Sequence, residues 1–114
     1  MFEVRRSDDG ELCGFVAHEA GTWRAMTVFG AVLGEHDERA GAQDQVVGEG
    51  LACLAEHWTL VDAETGGEEI VLIQQSSPAG VTVALGYHSI PGTPSMAVSR
   101  ADLDAGRWTL RRTR

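Results

Sequence analysis

The chain has 114 residues, with no lysine, nine arginines, seventeen acidic residues and a net charge of −8 at pH 7. Its 43% apolar and 23% charged residues are ordinary for a globular domain, and apolar residues run along the whole chain, which excludes a long disordered tract. The acidic balance disfavours nucleic acid and anionic membrane surfaces as partners, because phosphate repels net negative charge, and no apolar run reaches the roughly 20 residues that span a bilayer.

Phe2, Val4 and Arg6 alternate with Glu3 and Arg5, the pattern of a strand. Asp8-Asp9-Gly10 supplies a hairpin turn, since Asp and Gly tolerate positive φ. Leu12 to Glu19 reads as a second strand, Ala20-Gly21-Thr22 as a turn, and Trp23 to Phe29 as a third strand rich in β-formers. The first third is therefore expected to be a three-stranded meander, with Gly30 to His36 either extending the third strand or opening a loop.

Asp37 suits a helix N-cap, with Glu38 in the first turn. Val47, Leu51, Leu54 and Trp58 then recur at spacings of 4, 3 and 4, so one main helix is expected over about 38–56. Gly41, Gly48 and Gly50 each cost such a helix about 1 kcal/mol against alanine. It must therefore draw on tertiary packing, lying close on a sheet where missing side chains let backbones approach. From Trp58 the period changes to two. Trp58 to Val61 reads as a strand and Thr65-Gly66-Gly67 as a turn. Ile70 to Ile73 reads as a central strand covered on both faces, and Ser77-Pro78-Ala79-Gly80 as a turn. Val81, Val83, Leu85 and Tyr87 form the cleanest alternating strand, and His88 to Pro94 a loop. Met96 to Ser99 is a short strand, and Ser99 with Asp102 resembles a capping box for one helical turn ended by Gly106. Arg107 to Thr113 is the last strand.

These elements imply an α+β fold in a single domain over 1–114. A mostly antiparallel sheet of seven to eight strands, either open or curled into a partial barrel, would carry one main helix. His57-Trp58-Thr59-Leu60 and Arg107-Trp108-Thr109-Leu110 echo each other 50 residues apart. Their flanks do not align, so the echo is read as chance or as convergent strand-start chemistry, and in either case both tryptophans are expected to anchor the core.

Catalytic and cofactor motifs are absent. His18, His36, His57 and His88 form neither HxH nor HxxxH, so no metal ligand set is read. Cys53 and His57 are four apart and would share a side of a continuous helix, but a thiol between Ala52 and Leu54 is more simply inert core, as is Cys13. No GxSxG, GxGxxG or GxxxxGK is present. The first seven residues are charged with no apolar run after them, so no signal peptide is read, and a cytoplasmic location with reduced thiols is expected.

Charge placement is the remaining signal. Arg5, Arg6, Arg107, Arg111, Arg112 and Arg114 lie near the two ends, whereas the interior holds only Arg24, Arg39 and Arg100 against sixteen acidic residues. If the first and last strands pair, Arg5, Arg107 and Arg111 line one outward stripe suited to phosphate, carboxylate or an acidic surface. The function expected from these observations is a small, non-catalytic protein-interaction or regulatory module, self-association as a homodimer included. In it the acidic stretches Glu35–Glu38 and Glu64–Glu69 would meet a cationic partner, or the arginine stripe an anionic one. The alternative is a small-ligand binder or modest enzyme with a pocket at a sheet end, rimmed by His57, Tyr87 and His88. Nucleic-acid binding through the stripe is the weakest reading. No cofactor is expected.

Overall fold

Turn chemistry sets the first strands in the computed structural model, which describes residues 1–85 and 94–113. Strand β1 (Phe2–Arg5) meets β2 (Leu12–Glu19) across the Asp9-Gly10 turn, and β2 meets β3 (Thr22–Met26) across Ala20-Gly21, both at positive φ. A fourth strand, β4 (Val32–His36), pairs antiparallel with β3. The meander thus has four strands, in the order β1-β2-β3-β4, not three. The turn into β4 lacks the usual run of polar turn residues. Instead Gly30 takes φ 89°, and the Thr27 hydroxyl accepts the Ala31 amide at 3.0 Å.

Helix α1 spans Arg39–Glu49 and is followed by a 3₁₀ turn at Ala52–Ala55. It is shorter than the expected 38–56 segment, its N-cap is Glu38, and no side chain caps it. The expected face fails for the same reason: Leu51, Leu54 and Trp58 lie beyond the helix, and Val47 is exposed. The buried stripe is Ala42 and Val46, continued by Gly50 at the C-cap. These small residues press the helix onto β2. A Cβ on Gly50 would lie 2.2 Å from the Cys13 carbonyl oxygen, and one on Gly14 would lie 2.1 Å from the Met26 carbonyl oxygen and 3.0 Å from Val46. Val4, Cys13, Val16, Ala25, Ala42 and Val46 form the core, flanked by Trp23, Leu33 and Leu51.

The second sheet has five strands in the order β8-β7-β6-β5-β9, with β5 His57–Asp62, β6 Glu68–Ser77, β7 Gly80–Leu85, β8 Ser95–Ser99 and β9 Trp108–Arg112. The α+β class stands, but the single sheet of seven to eight strands does not, because β1–β4 and β5–β9 hydrogen-bond only within their own sets. The chain divides accordingly into two compact units, Met1–Cys53 and Leu54–Arg114. In the second, β5 is flanked by β6 and β9. Strand β6 pairs with β5 through its first half and with β7 through its second, with a register shift between Ile73 and Gln75. One face is buried at Trp58, Leu60, Val71, Val83, Val98 and Leu110. Ile70, Leu72 and Ile73 are only half-buried, so β6 is not covered on both faces. A short helix, α2 (Arg100–Asp104), precedes β9, and its Ser99 cap accepts the Asp102 amide at 3.1 Å as the sequence motif implies. No described helix is long and apolar enough to cross a membrane.

Gly14 and Gly48 are opposite cases, one packed against a neighbouring strand and the helix, the other open to solvent. Gly14, at φ 155° against backbone oxygen, admits no side chain, whereas a Cβ on Gly48 meets nothing within 4 Å. Gly14→Val should lower stability by at least ~1–3 kcal/mol. Gly48→Ala should raise it by roughly 1 kcal/mol, the helix-propensity difference. Chemical denaturation of the two variants measures both.

Candidate functional site

Strand pairing decides the fate of the arginine stripe. β1 pairs only with β2, and β9 only with β5, so the pairing that would align Arg5 with Arg107 and Arg111 does not form. Each of these arginines also has a carboxylate of its own. Arg5 reaches Glu3 at 3.4 Å and the Gly10 carbonyl at 3.0 Å, Arg107 reaches Asp102 at 3.7 Å, and Arg111 reaches Glu68 at 2.5 Å. The last pair reaches across β5: Arg111 faces Thr59 on β5, while Glu68 on β6 faces Val61. Among the remaining described arginines, Arg6 holds Asp9, Arg24 lies near Glu19 and Glu35, Arg100 holds Asp104 and Arg112 holds Glu56. Exposed pairs of this kind contribute about 0–1 kcal/mol each. Their main consequence is to neutralise the arginines.

Of the expected pocket rim, His57 opens β5, and Tyr87 and His88 lie outside the described residues. Cys53 and His57 share no helix: Cys53 is buried in the 3₁₀ turn and its thiol donates to the Gly50 carbonyl at 3.4 Å. Cys13 is also buried, and neither thiol is in a disulfide.

Two constellations emerge that the sequence reading passes over. The first centres on Trp108. The β5–β6 turn is closed by the Glu64 amide on Asp62 Oδ1 at 2.8 Å, the Gly67 amide on the Thr65 hydroxyl at 3.1 Å, and the Asp62 amide on the Gly67 carbonyl at 2.9 Å. The Ala63 amide then reaches the Arg107 carbonyl at 3.1 Å, tying this turn to the start of β9. Register places Trp108 directly opposite Asp62, and Glu69 opposite Leu60 on the same face. Two concavities share Trp108 and Asp62. One, of about 280 Å³, is completed by Ala63, Glu64 and Arg107. The other, of about 240 Å³, includes Glu68, Glu69, Leu85 and Met96. Asp62, Glu64 and Glu69 have no arginine partner among the described residues. Trp108 is half-buried, an aromatic wall with acid on both sides rather than a core anchor like Trp58.

The second constellation is an aromatic row on the helix-side face of the four-stranded sheet. His18 and His36 flank Trp23 in direct register from β2 and β4, and His18 stacks on it with centroids 4.5 Å apart. Phe2 lies 6.2 Å from Trp23, and Arg39, the first residue of α1, sits over both, 4.4 Å from the Phe2 centroid and 5.5 Å from that of Trp23. His36 Nε2 lies 2.7 Å from Gln45 Oε1, while Gln45 Nε2 donates to the Leu33 carbonyl and to Glu49. The Gln45 oxygen is therefore the acceptor and His36 the donor. The Ala20-Gly21 hairpin could have revealed half of this row, because a two-residue turn fixes His18 opposite Trp23.

A third feature is a groove of about 700 Å³ between the β6–β7 turn and the end of β8, lined by the polar Gln75, Ser76, Thr82 and Ser99, the carboxylate of Asp102 and the apolar Val81 and Val98. Among the described residues no group of three His, Cys, Asp or Glu side chains is arranged to hold a metal ion. No protein-family model, curated protein or solved structure matches the chain.

The terminal arginines make one measurable prediction. Hydrogen bonds from the Arg6 guanidinium, at 3.1 and 2.7 Å, and from the Glu11 amide hold the Asp9 carboxyl below the ordinary aspartate range. The stabilisation from this lowered value is present above the ordinary aspartate pKa and is lost as pH falls through the folded one. Carboxyl-detected NMR titration should find Asp9 titrating below the ordinary aspartate range, and Arg6→Gln should raise it.

Proposed function

We propose that this chain is a non-catalytic protein-interaction module whose five-stranded unit holds a cationic segment of its partner at Trp108. The observation that supports this reading is the pair of concavities on either side of one half-buried indole, edged by Asp62, Glu64 and Glu69. Tryptophan offers the best aromatic face for a cation, and carboxylates beside it accept the N–H donors of a guanidinium or ammonium group.

Magnitudes set the size of the partner. A cation–π contact contributes about 0.5–2 kcal/mol, and a charge-assisted hydrogen bond about 1.5–3 kcal/mol. Together they fall short of the roughly 8 kcal/mol of a micromolar complex. The surface is therefore suited to a cationic side chain presented by a larger body, with further contacts around it, rather than to a free amino acid.

Titration with a short oligo-arginine peptide, followed by amide and indole NMR, tests the reading. The Trp108 indole N–H and the amides of Glu64 to Glu69 should shift together at low salt. Trp108→Leu, and separately Glu64→Gln with Glu69→Gln, should weaken binding about tenfold, corresponding to 1.4 kcal/mol. No shift at those positions would refute the reading.

A second reading, small-ligand binding at a sheet end, draws support from the groove of about 700 Å³ at the β6–β7 turn. The Ser77 and Ser99 hydroxyl oxygens accept backbone amides at 3.1 Å each, so their O–H groups remain as donors toward a neutral polar ligand. Ligand-observed NMR of a polyol and amide fragment set, repeated on Thr82→Phe to fill the groove, tests it: hits lost in the variant support the site, and hits unchanged exclude it.

A further inference from the structure

We propose that the cation received by the Trp108 surface is Arg39 of a second copy of this chain. The inference rests on reading that surface as a cation receptor and adds the identity of the partner.

Arg39 is the exception among the described arginines. Every other one has a carboxylate within ion-pair distance, and Arg39 has none, although Asp37 and Glu38 immediately precede it. In a chain with seventeen acidic residues and nine arginines, an exposed guanidinium is expected to find a carboxylate. Here it is instead held over Phe2 and Trp23. A guanidinium above ring faces is pre-positioned, so engaging it costs less side-chain entropy than engaging a free arginine. Its N–H donors, which no described carboxylate accepts, remain for a carboxylate from outside. Phe2 is itself exposed at 46%, so the guanidinium rises from an apolar platform rather than from a polar loop. Arginine and tryptophan at such a platform are the residue types over-represented at interface hot spots.

The chain also carries the complement. Asp62, Glu64 and Glu69 are the carboxylates around Trp108 that no described arginine neutralises, and the concavities beside the indole give a side chain somewhere to enter. Each copy bears both halves, an unneutralised cation on aromatic rings and an unneutralised acidic recess with an aromatic wall. Two copies bearing both halves associate either isologously, exchanging both contacts about a twofold axis, or heterologously, adding head to tail. The net charge of −8 opposes approach of two copies. At physiological ionic strength the Debye length of about 8 Å screens that long-range repulsion while leaving a contact pair largely intact, and this is the condition in which association should be sought.

Charge reversal provides the test. Sedimentation velocity at physiological ionic strength should show wild type moving from monomer to a larger species as concentration rises. Arg39→Glu alone, and Glu64→Arg with Glu69→Arg alone, should each raise the apparent dissociation constant at least about tenfold, equivalent to 1.4 kcal/mol. An equimolar mixture of the two variants should associate again, because in the mixed pair both contacts join opposite charges. All three substitutions are at exposed positions, and circular dichroism confirms that each variant is folded. A wild type that stays monomeric, variants that associate as wild type does, or a mixture that fails to recover would each overturn the proposal. If wild type is monomeric yet oligo-arginine still shifts the Trp108 indole, the second-copy inference fails alone. If neither occurs, the reading beneath it fails as well.

Discussion

Helix α1 meets the four-stranded sheet at backbone distance, and the rest of the first unit depends on that approach. Gly14 on β2 and Gly50 at the helix end leave no room for a Cβ, and between them Ala42 and Val46 fill the seam. A larger residue at any of these places would lift the helix. The core would lose its closest contacts, and Arg39 at the helix start would no longer sit over Phe2 and Trp23. A packing constraint at one end of the helix is thus what holds a charged group in place at the other.

The second unit relies on register instead. Strand β5 is flanked by β6 and β9, so a shift of one residue on either side would send Trp108 or Glu69 to the opposite face. The hydrogen bonds of the β5–β6 turn, with the Ala63 amide on the Arg107 carbonyl, tie that register from one end. At the other end the Thr59 hydroxyl meets that of Thr113 at 2.9 Å, and the Thr113 amide donates to the His57 carbonyl. Trp108 is accordingly presented by strand backbone, which places it more firmly than a loop would.

Most turns and strands were legible because their physics is local. Asp9-Gly10, Ala20-Gly21, Gly66-Gly67, Pro78 to Gly80 and the Ser99 cap all carry residues whose own conformational preferences mark a chain reversal or a helix start. Strand β4 was illegible because the turn before it contains Val28 and Phe29, both buried, which resemble strand rather than turn. The helix face was misread because Ala42, Val46 and Gly50 are small: an apolar periodicity search weights Val47, Leu51 and Leu54 above them, although smallness is what lets the helix approach. The division into two sheets depends on which distant strands pair, and nothing near β1 or β9 specifies that. The same limit hid the Trp108 recess. The acidic stretch Glu64–Glu69 was visible, and so was Trp108, but only the pairing of Asp62 with Trp108 joins them.

The arginines show why charge counts alone mislead. By number, the ends of the chain are its cationic regions, and alternation along two strands makes a stripe from them. In three dimensions those end arginines that are described each meet a carboxylate, so they present neutral pairs to solvent. The exception among the described arginines is Arg39, placed over rings with no carboxylate within ion-pair distance. On the anionic side the same subtraction leaves Asp62, Glu64 and Glu69 around Trp108, while Glu68 between them is spent on Arg111. A long-range field follows the net charge, but a specific contact follows the residual charge left after internal pairing. Arg39 lies over Trp23, and Asp62, Glu64 and Glu69 lie around Trp108, so at both places an aromatic face adds to the Coulomb term and excludes water that would otherwise weaken it.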